Sequence, residues 1–338
     1  SASASSANPF LCVECENTIL SFAVLSDDSD RLDTFLYNNG VLPRDKICPS
    51  CSSVMSLNIN KHNFNCYNYI TTVDKHKKKI KKQCKKSVSQ FKNTWFENHN
   101  LSKQTICRFV VCWALLKPPR HDVLKHELEL SDHAVVDWSN YLREVCVVVC
   151  SDESQVIGGP GKTVEIDEAK IGKRKYNRGR IIKGEWVFVG FERESKKCFL
   201  IPVATRGHAE LLPIIKEHIL PGTTVISDCW KTYNCLQFEG YTHLTVDHSY
   251  NFVDPETGAH TQHIERLWRE VRGSVPRYGN RKQHFIGHLA EFMFKRKHSD
   301  YKTRVHNLFR AIGHLYNGEN EHPNITREAD TDSESDDY

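Results

Sequence analysis

The sequence predicts an α/β protein in which a layered segment follows a small cysteine-rich unit and a helical one. Three observations predict it. Beyond residue 162, strand-like runs and helical stripes alternate in the order strand, strand, strand, helix, strand, strand, helix. Between Leu101 and Val149 apolar residues recur at three- and four-residue spacing. Ahead of both, Cys12-x-x-Cys15 and Cys48-Pro49-Ser50-Cys51 have the spacing with which two thiolates reach one tetrahedral ion.

At 338 residues the chain exceeds one typical core, and about 150 residues per domain suggests two or three units. Its net charge of +4 hides an asymmetry. Residues 327–338 hold six acids and one base, which leaves a net of +9 on the rest. A basic body with an acidic, disordered tail points to nucleic acid as partner. Thirteen cysteines, odd in number and scattered, speak against a secreted disulfide scaffold and for a reducing compartment with zinc on the clustered ones. The longest early apolar run, Ile19 to Leu25, is interrupted by Ser21 and lacks a cationic flank, so neither a signal peptide nor a membrane span is expected. The expected location is the nucleus of a eukaryotic host, or otherwise the cytoplasm.

Residues 1–27 are expected to be a disordered, cysteine-containing N-terminus, and residues 28–96 a zinc ribbon with a lysine-rich insertion. Within the latter, Asp28 to Asn39 reads as a short helix ended by Asn-Asn-Gly. Cys66 and Cys84 complete a zinc site with the Cys48–Cys51 knuckle, unless Cys12 and Cys15 take their place. The run Lys75 to Lys82 is too cationic to pack and reads as a looped-out insertion or an import signal. Residues 97–150 read as a helical, helix-turn-helix-like DNA-binding domain: Ser102 caps a helix to Leu116, Arg120 to Leu128 forms a second, and Ser131 caps a third. Its exposed face would offer His133, Asn140 and Arg143 to a groove; the other reading is a plain connecting bundle. Residues 151–162, with Gly158-Gly159-Pro160-Gly161, form a linker.

The layered segment is placed at residues 163–300, with a C-terminal helix at 301–326 and the acidic tail at 327–338. In the strand Thr163 to Asp167, alternation puts Val164 and Ile166 on one face and Glu165 and Asp167 on the other. Strands follow at Trp186–Glu192 and Lys197–Val203, then a helix at His208–Ile219. A fourth strand, Thr223 to Ser227, ends at Asp228, and a fifth runs from His243 to Val246. A helix from Gln262 to Arg272 buries Ile264, Leu267 and Val271 and leaves Glu265 on the neighbouring face. Three antiparallel strands, a helix and a parallel fourth strand describe a ribonuclease H-like α/β/α fold. Its acids converge at the ends of the first and fourth strands, where Asp167 and Asp228 stand 61 residues apart. Glu265 lies 37 residues further on.

Val164-Glu165-Ile166-Asp167-Glu168, Ile226-Ser227-Asp228-Cys229-Trp230, Thr245-Val246-Asp247-His248-Ser249, Phe252-Val253-Asp254-Pro255 and His260-Thr261-Gln262-His263-Ile264-Glu265 occur in that order. In these motifs, and in its cysteine knuckle, the chain resembles the transposases of the Merlin superfamily and their bacterial insertion-sequence relatives. It departs from them in the lysine insertion that splits the ribbon, and in Asp247 where such proteins often have Asn. The resemblance implies a DDE transposase that cuts at terminal inverted repeats and joins the 3′ ends to target DNA, with Asp167, Asp228 and Glu265 as the triad. Three hard carboxylates would hold two magnesium (or manganese) ions roughly 4 Å apart. Lys173, Arg174, Lys175, Arg269 and Arg272 would cradle phosphates of double-stranded DNA, and pairing two DNA ends implies a homodimer. Glu165, His260 and His263 read as supporting residues, the histidines polarising the scissile phosphate or ligating metal, or else capping and packing the helix. Glu168 reads as an ion-pair partner of the basic hairpin and Trp268 as core. The rival reading is a domesticated, non-cleaving, zinc-dependent DNA- or chromatin-binding protein.

Overall fold

Thr18 and Ser21 form a reciprocal capping box, each side chain accepting the other's backbone N–H. They open helix α1 (Ile19–Asp27), and Asp28, accepting from Asp30 and Arg31 N–H, opens α2 (Ser29–Asn38). Residues 19–27 are therefore helical where disorder was expected, because Phe22 and Leu25 have a core to enter: Phe22, Phe35 and Phe309 lie with ring centroids 5.0–5.8 Å apart. Strands β1 (Ser56–Asn58), β2 (Asn63–Asn65), β3 (Tyr69–Val73), β4 (Lys79–Gln83) and β5 (Ser87–Ser89) make two small antiparallel sheets, ordered β1-β2-β5 and β3-β4. The lysine run is thus partly strand and not a plain loop. Its residues from 79 on pair in register with Tyr-Ile-Thr-Thr-Val, a good strand former. Helix α3 (Lys103–Leu115) follows.

This computed structural model describes residues 16–73, 79–152, 156–171, 185–228, 231–246, 260–276 and 282–318. It divides into two compact units, residues 1–111 with 305–338, and residues 112–304. In the second unit α4 (His121–Glu127) and α5 (Asp132–Asp152) are joined by a turn at Glu129 (φ 52°), and Ser131 Oγ accepts the Ala134 N–H at the start of α5. The stretch read as a linker contains β6 (Ile157–Gly158), whose residues are buried. Gly158, at φ 87°, approaches Thr223 so closely that a Cβ would sit 2.3 Å from its Oγ1.

The central sheet has the order β12-β11-β7-β8-β9. Its first three strands in the chain, β7 (Thr163–Ile171), β8 (Glu185–Glu192) and β9 (Cys198–Val203), form an antiparallel meander. Helix α6 (His208–His218) leads through β10 (Ile219–Leu220), which pairs with β6, to β11 (Thr224–Asp228). Strand β11 runs parallel to β7 on one side and to β12 (Thr242–Val246) on the other. Then come α7 (Gln262–Ser274), α8 (Lys282–Lys297) and α9 (Tyr301–Leu315). Val164 and Ile166 pack with Leu211 and Ile215 of α6 on one face of the sheet. On the other, Val187 and Val189 pack with Ile264, Leu267 and Val271 of α7 and Leu289 of α8. The unit is a sheet with a helical layer on each face. No described helix is long and apolar enough to cross a membrane.

Candidate active site

Parallel pairing decides where the acids lie. Strands β7 and β11 pair with Thr163 opposite Thr224 and Glu165 opposite Ile226, so two residues further on Asp228 is level with Asp167. Paired residues of parallel strands point to the same face, and Asp167 and Asp228 both face the α7 side. Burial raises the Asp167 carboxyl to about 6, and the Asp228 charge pushes the same way. Two donors oppose that rise: Trp268 Nε1 donates to Asp167 Oδ2 at 2.8 Å and the Glu168 N–H to Oδ1 at 2.8 Å. Arg272, one turn beyond Trp268, lowers the same carboxyl by its charge.

Glu168, on the opposite face of β7, accepts a hydrogen bond from the Tyr233 hydroxyl. Burial raises its carboxyl to about 7, and Asp167 and Asp228 add to the rise. Among the described residues its hydrogen-bond partner is Tyr233; residues 172–184, the basic hairpin that the sequence suggested, lie outside them. Burial and the Glu168 charge keep the Tyr233 hydroxyl protonated far above its usual range.

Helix α7 carries Glu265 in its first turn. Glu265 is exposed and stands three positions before Trp268, on the side of the helix that reaches Asp167. Asp167, Asp228 and Glu265 do not close into one cluster. Among the described residues, the groups whose potential ligand atoms lie within 4.8 Å of one another are Glu165 with His260 and His263, and Cys48 with Cys51, Cys66 and Cys84.

The Glu165 group reads as a hydrogen-bonded anchor. Glu165 is fully buried, and its Oε1 accepts from Arg193 Nε at 2.8 Å and from His263 Nδ1 at 2.7 Å, while Oε2 accepts the Ile264 N–H at 3.0 Å. Arg193 also donates to the His260 carbonyl at 2.5 Å. A guanidinium already neutralises this carboxylate, which disfavours a cation in the same place. Burial, followed by the Arg193 charge, lowers the His260 imidazole below its usual range. The effect of the network is to pin the first turn of α7 to the middle of β7. Sequence reasoning missed Arg193 and the indole contact of Trp268. The one usable signal was that Trp268 lies at i+3 from Glu265.

Of the expected DNA contacts, Arg269 and Arg272 are exposed on α7. Arg143 is not available to a groove: its side chain is 17% exposed and turned inward, with Nε 3.3 Å from Glu291 Oε2 and Nη1 on Asn140 Oδ1 at 2.9 Å. Glu291, buried on α8, also pairs with Arg120 and Lys295, so Arg143 and Asn140 are drawn into an ion-pair core. Lys173, Arg174 and Lys175, and also Cys12 and Cys15, lie outside the described residues.

The cysteines come together as the spacing suggested. Cys48 Sγ lies 3.7 Å from Cys84 Sγ, and Cys51 Sγ 3.4 Å from Cys66 Sγ. Zinc–sulfur bonds of about 2.3 Å in a tetrahedron give sulfur–sulfur edges of about 3.8 Å, so the four thiols fit one zinc ion. The small β1-β2-β5 sheet positions them, with Phe64 and Met55 packed behind.

Residues 158–297 match the model of the ISXO2-like transposase domain. An uncharacterised transposase-like protein of Haemophilus influenzae is 26% identical over 110 residues, which are 32% of this chain and 88% of the relative. The matched segment contains β7, β11, α7 and α8 whole, and with them Glu165, Asp167, Glu168, Asp228, Glu265 and Glu291. Over residues 158–297 the chain is thus similar to an insertion-sequence transposase domain.

Proposed function

We propose that the chain is a DDE transposase that cuts DNA at the terminal inverted repeats of its element and joins the 3′ ends to a target, with Asp167, Asp228 and Glu265 as its acids. One observation carries this reading: Asp167 and Asp228 are level on one face of two adjoining parallel strands, beneath a helix that brings Trp268 onto Asp167 and carries Glu265 one turn earlier. The sheet order, with a meander followed by two parallel strands and helices on both faces, supports a ribonuclease H-like fold for this unit.

The donor set suits a hard divalent cation. Asp167 and Asp228 offer oxygen ligands, and their mutual repulsion, visible in the raised Asp167 carboxyl, is relieved by positive charge. Magnesium or manganese held there would polarise the scissile phosphate and make the attacking hydroxyl more acidic. The protein's own part is positioning. Trp268 and the Glu168 N–H hold Asp167 in one rotamer, Glu165 with Arg193 and His263 fixes the start of α7, and Arg269 and Arg272 steer the phosphate backbone towards the acids. Cys48, Cys51, Cys66 and Cys84 hold a structural zinc ion, which metal analysis would read as one zinc per chain, lost in Cys66→Ser. Two element ends cut in concert call for two active sites and hence a homodimer.

The deciding test is strand cleavage of DNA bearing the element ends, with Mg²⁺, by the parent chain and by Asp228→Ala. Cleavage and joining by the parent and neither by the variant is the expected result. Equal activity in both would sink the proposal.

A further inference from the structure

The lysine-rich strand β4 belongs to neither candidate metal site, yet it is the most cationic element described. Residues 46–96 contain eleven lysines and one acid, Asp74. Among the described residues of this stretch, Lys79, Lys81, Lys82, Lys85 and Lys86 are all exposed. Among the described residues, strands β3 and β4 pair only with each other, from Tyr69 opposite Gln83 to Val73 opposite Lys79. Tyr67 and Tyr69, 60% and 65% exposed, stand at the base of this ribbon. A lone two-stranded ribbon is marginal in water, and like charges along it make it more so.

Its base is nevertheless rigidly held. The Cys84 N–H donates to the Asn68 carbonyl and the Cys66 N–H to the Lys86 carbonyl, each at 2.8 Å. The ribbon therefore leaves the fold between two residues of the four-cysteine cluster. Strand alternation puts Lys79 and Lys81 on one face and Lys82 on the other. A ribbon laid flat on a phosphate strand would use one of these faces. One that enters a groove meets a phosphate wall on each side. Two strands about 4.8 Å apart, with their side chains, fill a groove about 12 Å wide, whereas one of about 6 Å would first have to be widened at a cost in DNA deformation.

We propose that the β3–β4 ribbon is a DNA-binding element that enters the major groove of duplex DNA, its lysines neutralising phosphates on both walls. The contribution is sequence-independent, since lysines on phosphates fix register without reading bases. It rests on DNA as the partner and not on cleavage, so binding through the ribbon is read in titrations without Mg²⁺, in which no strand is cut.

The test uses the full chain, a 30-base-pair duplex and titrations at several salt concentrations. The Lys79→Gln/Lys81→Gln/Lys82→Gln variant should lose about ten- to a hundredfold in affinity near 0.1 M salt, and its log–log salt slope should fall by about 2–3. The triple Lys→Arg variant should restore both, and unchanged zinc content and circular dichroism establish that each variant folds. Methyl green, which occupies the major groove, should compete with the parent, and distamycin in the minor groove should not. A Gln variant with parental affinity and slope overturns the proposal. So does a loss that Arg fails to restore, or competition by distamycin alone.

Discussion

Glu165 and Asp167 are two residues apart on one face of β7, and the difference between them explains how this strand works. Glu165, in the body of the sheet, is fully buried and meets a guanidinium, an imidazole and a backbone N–H. Asp167, the middle residue of β7, meets two neutral donors, the charge of Asp228 and, opposing it more weakly, the charge of Arg272. The first carboxylate is neutralised by the protein and so is structural. The second is left short of positive charge, which is the condition under which a carboxyl binds a cation.

The largest expected break in that comparison is Asp228→Ala, which should lower Mg²⁺-dependent cleavage on the order of a thousandfold or more while the chain stays folded. In the absence of metal it should also raise the melting temperature, because it removes a repelling charge from beside Asp167. Glu165→Leu should do the reverse. Leaving the half-buried Arg193 without its carboxylate should cost at most about 3–5 kcal/mol, read as a fall in the denaturant midpoint, and Glu165→Gln should cost less because its amide still accepts the Ile264 N–H.

The pH dependence sharpens the contrast. Asp167 sits at about 6 against an ordinary 3.8, so the folded chain keeps a proton that the unfolded chain releases. Metal-free stability contributed by this group is therefore full below 3.8 and lost as pH rises through 6, by on the order of 2–3 kcal/mol. Glu168, at about 7 against 4.5, acts in the same direction. Mg²⁺ or Asp167→Asn should flatten this slope in pH-resolved thermal melts. Trp268→Phe gives the smallest effect. It keeps the buried ring and removes the N–H that lowers the Asp167 carboxyl, so turnover should fall about tenfold and the acid limb of the rate profile should move to higher pH. An unmoved limb would make Trp268 packing alone.

Much of this was legible in the residues. Alternation along Thr163 to Asp167 assigned its faces correctly, because a strand has a period of two whatever packs on it. The stripe Ile264, Leu267 and Val271 was visible for the same kind of reason, and the cysteine spacing brought four thiols together. Contacts that join distant segments were not legible. Arg143 looked exposed on its own helix and is turned inward only because α8 places Glu291 against it. Trp268 looked like core and is core, but the docking of α7 also aims its N–H at Asp167. The lysine run looked unable to pack, and its described residues, from Lys79 on, form a strand because Tyr69–Val73 lies in register beside them.

The sequence by itself determined which residues could serve: the periods of its strands and helices, the face that Glu165 and Asp167 share, and the four thiols. Those follow from local geometry and from the chemistry of single side chains. Only the tertiary structure decided that Glu165 is neutralised and Asp167 is not. That depends on where Arg193, His263 and Asp228 come to rest, and their places are set by strand register and helix docking between residues far apart in the chain.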